Sequence, residues 1–121
     1  MLNNSSFIGY ISTELIFTGK EKKQYCKFNI AVPRNYKNED GNRPADFIPC
    51  IAYGVSAEMI YTNFVKGDKI CVNGRMESSK YTDKDGNTKY SLALNIKEWY
   101  FEESKKKPLE YYEKAFDNDK E

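Results

Sequence analysis

The chain has 121 residues, which is enough for one compact domain with a modest core. Histidine is absent, and the three cysteines (Cys26, Cys50 and Cys71) lie far apart in the sequence. This composition argues against a zinc site, a histidine-based triad and a histidine general base, so we expect neither a metal nor a cofactor. Free thiols fit a reducing compartment, and the sequence has neither a signal peptide nor an apolar run of membrane length. We therefore predict a cytoplasmic protein that does not bind membranes.

The formal net charge of +1 is unevenly distributed. Residues 101–121 hold seven acids and five lysines, which leaves residues 1–100 with a net charge of +3. The apolar pattern stops after Trp99, close to the run of three lysines that precedes Pro108. We therefore predict one folded domain over residues 1–100 and a polar, mobile C-terminal tail over residues 101–121.

The first predicted strand runs from Ser5 to Ile11. Gly9 within it allows the sharp bend that a small closed barrel needs. The segment from Leu15 to Phe17 reads as a short continuation of this strand.

Two further predicted strands flank a long polar connector. In the first, apolar side chains recur with period two at Cys26, Phe28, Ile30 and Val32, so this face should be core. The second is apolar on both faces, with Ile48, Cys50 and Ala52 on one side and Phe47, Pro49, Ile51 and Tyr53 on the other. The Phe47/Tyr53 face therefore requires either a covering layer or a flat binding partner.

A helix should follow the third strand. Ser56 is the expected N-cap, and the helix should reach about Phe64, with Ile60 and Phe64 one turn apart. Gly67 is the expected C-terminal stop, and the helix should close one end of a barrel.

The remaining pattern predicts two more strands. Ile70 to Tyr81 forms the fourth, and a turn ending at Gly86 reverses the chain. On the fifth strand one side carries Tyr90, Leu92, Leu94 and Ile96. Five strands with one helix between the third and the fourth is the order of an OB-fold, an all-β Greek-key barrel that binds oligonucleotides and oligosaccharides.

The connector combines rings and cations. Arg34 and Tyr36 stand at its entrance, and Lys37 and Arg43 lie within it. Single-stranded nucleic acid needs this mixture, because bases stack on rings while cations neutralise phosphates. The alternatives are that each aromatic packs as an ordinary strand residue and that each cation is an ordinary surface charge.

Short motifs between Met1 and Trp99 make the prediction more specific. The main ones are Phe28-Asn-Ile-Ala-Val-Pro-Arg34, Gly41, Ala45-Asp-Phe-Ile48, Lys66-Gly67-Asp68, Val72-Asn-Gly-Arg75 and the segment from Tyr81 to Gly86. They resemble the bacterial and phage single-stranded DNA-binding proteins. The compact length and the absence of an acidic terminus suggest a phage or mobile-element member of that family.

The resemblance implies a non-enzymatic protein that binds single-stranded DNA without sequence preference in replication, recombination and repair. Four family positions that stack on bases match Tyr36, Phe47, Tyr53 and Tyr81. The cations expected to track the phosphates are Arg34, Lys37, Arg43, Arg75, Lys80 and Lys84.

The resemblance also implies partners. A homotetramer is expected, with a dimer as the alternative, together with a strand-exchange recombinase and replication proteins. Family members end in an acidic tip with a terminal Phe. Here Phe116 precedes the acidic residues, and Lys120 among them reduces their net negative charge. We therefore expect weak recruitment of proteins that read such a tip.

Three other functions stay open from the residues. An RNA-binding or cold-shock-like OB module would use the same aromatic platform. An adaptor of a replication complex would keep the fold without the binding surface. An OB-fold nuclease would need a cluster of carboxylates, whereas Asp83 and Asp85 are explained by their turn.

Overall fold

The computed structural model describes residues 1–19 and 23–102. Within them the element order is β1 (Ser5–Ile11), β2 (Ile16–Thr18), β3 (Tyr25–Pro33), β4 (Ala45–Tyr53), α1 (Gly54–Asn63), β5 (Lys69–Thr82) and β6 (Thr88–Phe101). The predicted five-stranded OB-fold with one helix is confirmed, since β1 and β2 together make up the predicted first strand and its continuation. No helix in these two ranges is long and apolar enough to cross a membrane.

The sheet closes into a barrel because β1 pairs with two strands. The strand order is β1-β5-β6-β4-β3-β2, with an additional pairing between β1 and β3. Residues 5–10 of β1 pair with β5, and Tyr10 and Ile11 pair with β3. Gly9 lies just before this change of partner, where a Cβ atom would come within 2.6 Å of the Ala31 carbonyl oxygen. Glycine is therefore needed at this position because the two strands lie too close together for a side chain.

The core comes from the period-two faces of the strands. Cys26, Phe28 and Ile30 of β3 are buried, as the alternation predicted, and Val32 is partly buried against them. On the other strands the fully buried side chains with the largest volumes include Ile11, Ile70, Val72 and Leu94. The opposite faces of the same strands form the outside of the barrel.

The helix begins earlier than predicted. β4 runs directly into α1, whose N-cap is Tyr53 in an extended conformation without a side-chain capping bond. The backbone N–H of Gly54 instead donates to the carbonyl of Gln24, the residue just before β3, at 3.0 Å, which satisfies one of the open N–H groups at the start of the helix. The prediction that Ser56 is the N-cap is therefore wrong.

The predicted end of the helix at about Phe64 is confirmed, since α1 ends at Asn63 and Phe64 is its C-cap. Ile60 and Phe64 are both buried in the core, and the Phe64 N–H donates to the Ile60 carbonyl at 3.0 Å. The prediction that Gly67 is the C-terminal stop is wrong, because the chain already leaves the helix at Phe64 in an extended conformation. The N–H of Gly67 instead donates to the Ile11 carbonyl at 2.8 Å. This bond ties the exit of the helix to the end of β1.

The hairpin of β5 and β6 is longer than the barrel. Its base, residues 69–76 and 94–101, contributes core side chains. The remainder, residues 77–93, contains no buried residue, and we call it the arm. The base contains a β-bulge between Asn73 and Gly74, where a Cβ atom on Gly74 would lie 2.0 Å from the Asn95 carbonyl oxygen.

The connector between β3 and β4, residues 34–44, has its own hydrogen bonds. The Arg34 N–H donates to the Pro44 carbonyl at 2.8 Å and closes its neck. At its tip the Asn38 side-chain oxygen accepts from the N–H groups of Asp40 and Asn42, both at 3.0 Å. This is the Asx-turn arrangement that asparagine favours in loops.

Candidate nucleic-acid interface

One outer row of side chains crosses four strands. Lys27 pairs with Ile51, Ile51 with Asn95, and Asn95 with Arg75, so these four residues share the outer face of β3, β4, β6 and β5. Adjacent strands lie about 4.8 Å apart, so the row is roughly 14 Å long. We call the outer face of these four strands the platform. It is wide enough to support a strand of nucleic acid crossing the sheet.

Phe47 and Tyr53 lie on the platform, as the alternation in β4 predicted. Tyr53 is the last residue of β4, and 54% of its surface is exposed. Phe47 is half-buried, because it packs with Tyr10 against a second small apolar cluster of Ala31 and Ala45. The two rings are six residues apart on one strand, which corresponds to about 20 Å.

The fourth strand brings two more predicted residues to the same face. Arg75 and Tyr81 are an even number of residues apart on β5, so both lie on the platform side of that strand. Tyr81 belongs to the arm and is half-exposed. Lys80 is exposed but lies on the opposite face, paired with Tyr90. Lys84 is exposed in the turn of the arm, where Asp83 accepts two backbone N–H groups.

The connector supplies the other predicted residues. Tyr36, Lys37 and Arg43 are all exposed on it. Arg34 stands at its neck, and its guanidinium binds the Asp46 carboxylate with Nη2 2.7 Å from Oδ1. The hydrogen bonds from Arg34 hold the pKa of Asp46 below its ordinary value.

The charges of this region differ in how far they are paired. Among the described residues, ion pairs within 4.0 Å join Arg34 to Asp46 and Lys89 to Asp83. The remaining predicted cations have no carboxylate partner at that distance in the described ranges; they are Lys37, Arg43, Arg75, Lys80 and Lys84. An unpaired surface cation is available to a phosphate without first losing a partner.

Two platform residues were not picked out from the sequence. Tyr25 pairs directly with Tyr53 across β3 and β4, and the Lys27 ammonium lies 5.3 Å from the centre of the Tyr25 ring. This places a second ring and a cation beside Tyr53. The signal was present, because Tyr25 and Lys27 alternate with the core residues Cys26 and Phe28 and therefore face outward with Tyr53.

The fold and this face together define a class of protein. A closed barrel of the OB type carries exposed rings and unpaired cations on one outer side, which is the arrangement that binds single-stranded nucleic acid. A solved structure shares this fold. A small single-stranded DNA-binding protein from Streptomyces coelicolor superposes with a TM-score of 0.70 over 85% of this chain and 97% of its own, at 17% sequence identity.

The sequence comparisons identify the family. Residues 2–102 match the Single-strand binding protein family. Single-stranded DNA-binding protein 1 of Clostridium acetobutylicum is 40% identical over 84 residues, which cover 69% of this chain and 76% of that protein. Its counterpart in Streptococcus pyogenes serotype M18 is 34% identical over 91 residues, covering 74% and 70%. The chain belongs to the single-strand binding protein family.

The predicted tail cannot be compared in the same way. Residues 103–121 lie outside the described residues, and β6 ends at Phe101. The division into a domain of residues 1–100 and a tail of residues 101–121 stays a prediction.

Proposed function

We propose that this protein binds single-stranded DNA without sequence preference and without catalysis, in the cytoplasm, during replication, recombination and repair. The main support is the platform, on which Phe47, Tyr53, Arg75 and Tyr81 share one outer face of the barrel. Membership of the family and the names of its relatives point the same way.

In this mechanism the aromatic rings contact the bases and the cations contact the phosphates. Bases stack on Tyr36, Phe47, Tyr53 and Tyr81, each stack contributing roughly 1–3 kcal/mol. Lys37, Arg43, Arg75 and Lys84 contact phosphates and release counterions, which lowers the affinity as salt rises. Lys80 is left out of this path, because it lies on the face of the arm opposite Tyr81, beside Tyr90. Arg34 belongs to the same surface, and its role is considered separately below because its charge is paired.

A titration with fluorescent oligothymidine tests the binding surface. Tyr53→Ala should weaken binding about 5- to 150-fold, as expected for the loss of one base stack. Tyr90→Ala is the matched control, because Tyr90 is 70% exposed but lies on the opposite face of the arm, paired with Lys80. Equal losses in both variants would argue against a defined stacking site. Competition by oligouridine of the same length separates this function from that of an RNA-binding module.

We also propose that the protein assembles as a homotetramer, with a dimer as the alternative. The supporting feature is β1, where residues 5–9 pair with β5 on one side and have no strand partner on the other side among the described residues. An open strand edge favours pairing with a second copy of the chain. Native mass measurement with and without oligothymidine checks this, and a stable monomer at micromolar concentration would contradict it.

A strand-exchange recombinase and replication proteins are the proposed partners of the assembled form.

A further inference from the structure

The Arg34 side chain connects β4 to the aromatic residue of the connector. Its Nε lies 3.2 Å from each carboxylate oxygen of Asp46, and its Nη2 lies 2.7 Å from Oδ1. On the other side of the guanidinium, Nη1 donates to the Tyr36 hydroxyl at 2.8 Å. Because the guanidinium is a rigid planar fork, binding Asp46 along one edge fixes the direction in which Nη1 points.

Tyr36 needs such a contact more than the other three stacking residues do. Phe47, Tyr53 and Tyr81 lie in strands, where ladder hydrogen bonds hold the backbone. Tyr36 lies in the connector, and 55% of its surface is exposed. Asp46 is held in the β3–β4 ladder opposite Val32, so it offers a fixed point from which Arg34 can orient the Tyr36 ring.

The same contacts leave Arg34 poorly suited to bind phosphate. Its charge is balanced by Asp46, and the hydrogen bonds that it donates to Asp46 and Tyr36 raise the pKa of Arg34 above its ordinary value. A phosphate must compete with a carboxylate that already holds Nε and Nη2. Lys37, three residues along the connector, has no carboxylate within 4.0 Å in the described part of the chain.

We propose that Asp46 and Arg34 are positioning residues that hold Tyr36 ready to stack on a base, and that Arg34 acts through Tyr36 and not through a phosphate. This inference rests on the proposed binding of single-stranded DNA. It assigns a role to Asp46, an acidic residue that faces away from the platform because it directly precedes Phe47 on β4.

The first test compares the salt dependence of two variants. Arg34→Ala should weaken binding to oligothymidine about threefold to tenfold, because a stack made by an unfixed ring is partly lost. It should change the slope of log affinity against log salt by less than half of the roughly 0.7 that one phosphate contact contributes. Lys37→Ala is the matched control and should flatten that slope by the full amount. A flattening of about 0.7 in Arg34→Ala overturns the proposal.

The second test asks whether the effect passes through Tyr36. Arg34→Ala should have no further effect in a Tyr36→Ala background, whereas independent contacts would give additive losses. Arg34→Lys should not restore affinity, because an ammonium cannot hold the carboxylate and the hydroxyl in the geometry of the fork. A phosphate contact would largely survive this change, so full rescue by lysine also overturns the proposal.

The third test separates positioning from competition. Asp46→Ala should lower affinity at high salt, where the general effect of removing a negative charge is screened. A gain in affinity there would mean that Asp46 merely competes with DNA for Arg34, and the proposal fails. Thermal unfolding of each variant checks that the fold is intact. Binding by the unmodified protein, together with the Tyr53→Ala result, decides the proposed function independently of these variants.

Discussion

The base and the arm of the β5–β6 hairpin follow one alternating pattern but have different surroundings. Leu94 and Ile96 in the base are buried, with at most 4% of either side chain exposed. Leu92 and Tyr90, on the same face of the same strand, are 59% and 70% exposed. The face continues across the boundary, but the barrel that covers it does not.

This difference separates two questions that a sequence pattern combines. Alternation determines which side chains share a face, because successive residues of a strand point in opposite directions. Burial depends on whether another layer covers that face. In the base the core of the barrel covers it, whereas no described layer covers the arm. Both faces of the arm, the platform face and the opposite one, are therefore exposed.

The largest expected effect compares two leucines across the boundary. Leu94→Ala should lower the free energy of unfolding by about 2–5 kcal/mol, because a large side chain is removed from a closed core. Leu92→Ala should change it by no more than about 0.5 kcal/mol, since that side chain faces solvent. Urea unfolding of both variants measures the two values. Equal losses would mean that the arm is packed against something in solution.

The next prediction compares the two faces of the arm. Tyr81→Ala should weaken binding to oligothymidine by about 1–3 kcal/mol, since Tyr81 lies on the platform face. Tyr90→Ala should weaken it by less than about 0.5 kcal/mol, although Tyr90 is the more exposed ring, because it lies on the other face. Fluorescence anisotropy titrations give both numbers. A comparable loss from Tyr90 would show that DNA contacts both faces of the arm.

A smaller effect tests how completely water is excluded from the core beside the base of the hairpin. Cys50 pairs with Leu94 in the barrel, and burial raises the pKa of its thiol from 9.0 to about 12. Above pH 9 the unfolded thiol loses its proton while the folded one keeps it, so stability should fall between pH 9 and about 12. The contribution of Cys50 is about 1.4 kcal/mol per pH unit in that window. Cys50→Ala should flatten the decline in urea unfolding measured from pH 8 to 10, and an unchanged decline would contradict this account.

The smallest expected effect separates the two platform rings of β4. Phe47→Ala should lower the free energy of unfolding by about 1 kcal/mol, because Phe47 packs on Ala31 and Ala45. Tyr53→Ala should leave stability nearly unchanged, because more than half of Tyr53 is exposed. Both should weaken DNA binding. Thermal unfolding measured beside the binding titrations distinguishes a residue with two roles from one with a single role.

Much of the fold could be predicted because it depends on local alternation. The faces of β3 and β4 and the turn before Gly86 follow from side-chain period and turn chemistry, and the structure agrees with them. Ser56 failed as an N-cap because the helix begins two residues earlier, at Gly54, whose N–H donates to the Gln24 carbonyl, some 30 residues earlier in the chain. A capping rule that uses neighbouring residues cannot include such a bond.

The candidate site shows the same limit. Phe47, Tyr53, Arg75 and Tyr81 share one face because each lies at a definite position in a strand, so their side could be worked out from the sequence. The pairing of Arg34 with Asp46 could not, because it depends on how the connector folds back on β4. The separation of Lys80 from Tyr81 could have been expected, since consecutive residues of a strand face opposite ways.

The closure of the barrel by β1 has a consequence for how the chain is made. Ser5 pairs with Gly74, which lies 69 positions later, whereas β3 and β4 are joined by a short connector. During synthesis β1 leaves the ribosome first, yet its main partner emerges after more than half of the chain. The β3–β4 pair can form early because its loop is short, while the pairing of β1 with β5 requires a long loop to close. The first strand to be synthesised is therefore the last to form its native pairs. We expect substitutions at Phe7 to change the unfolding rate more than the folding rate.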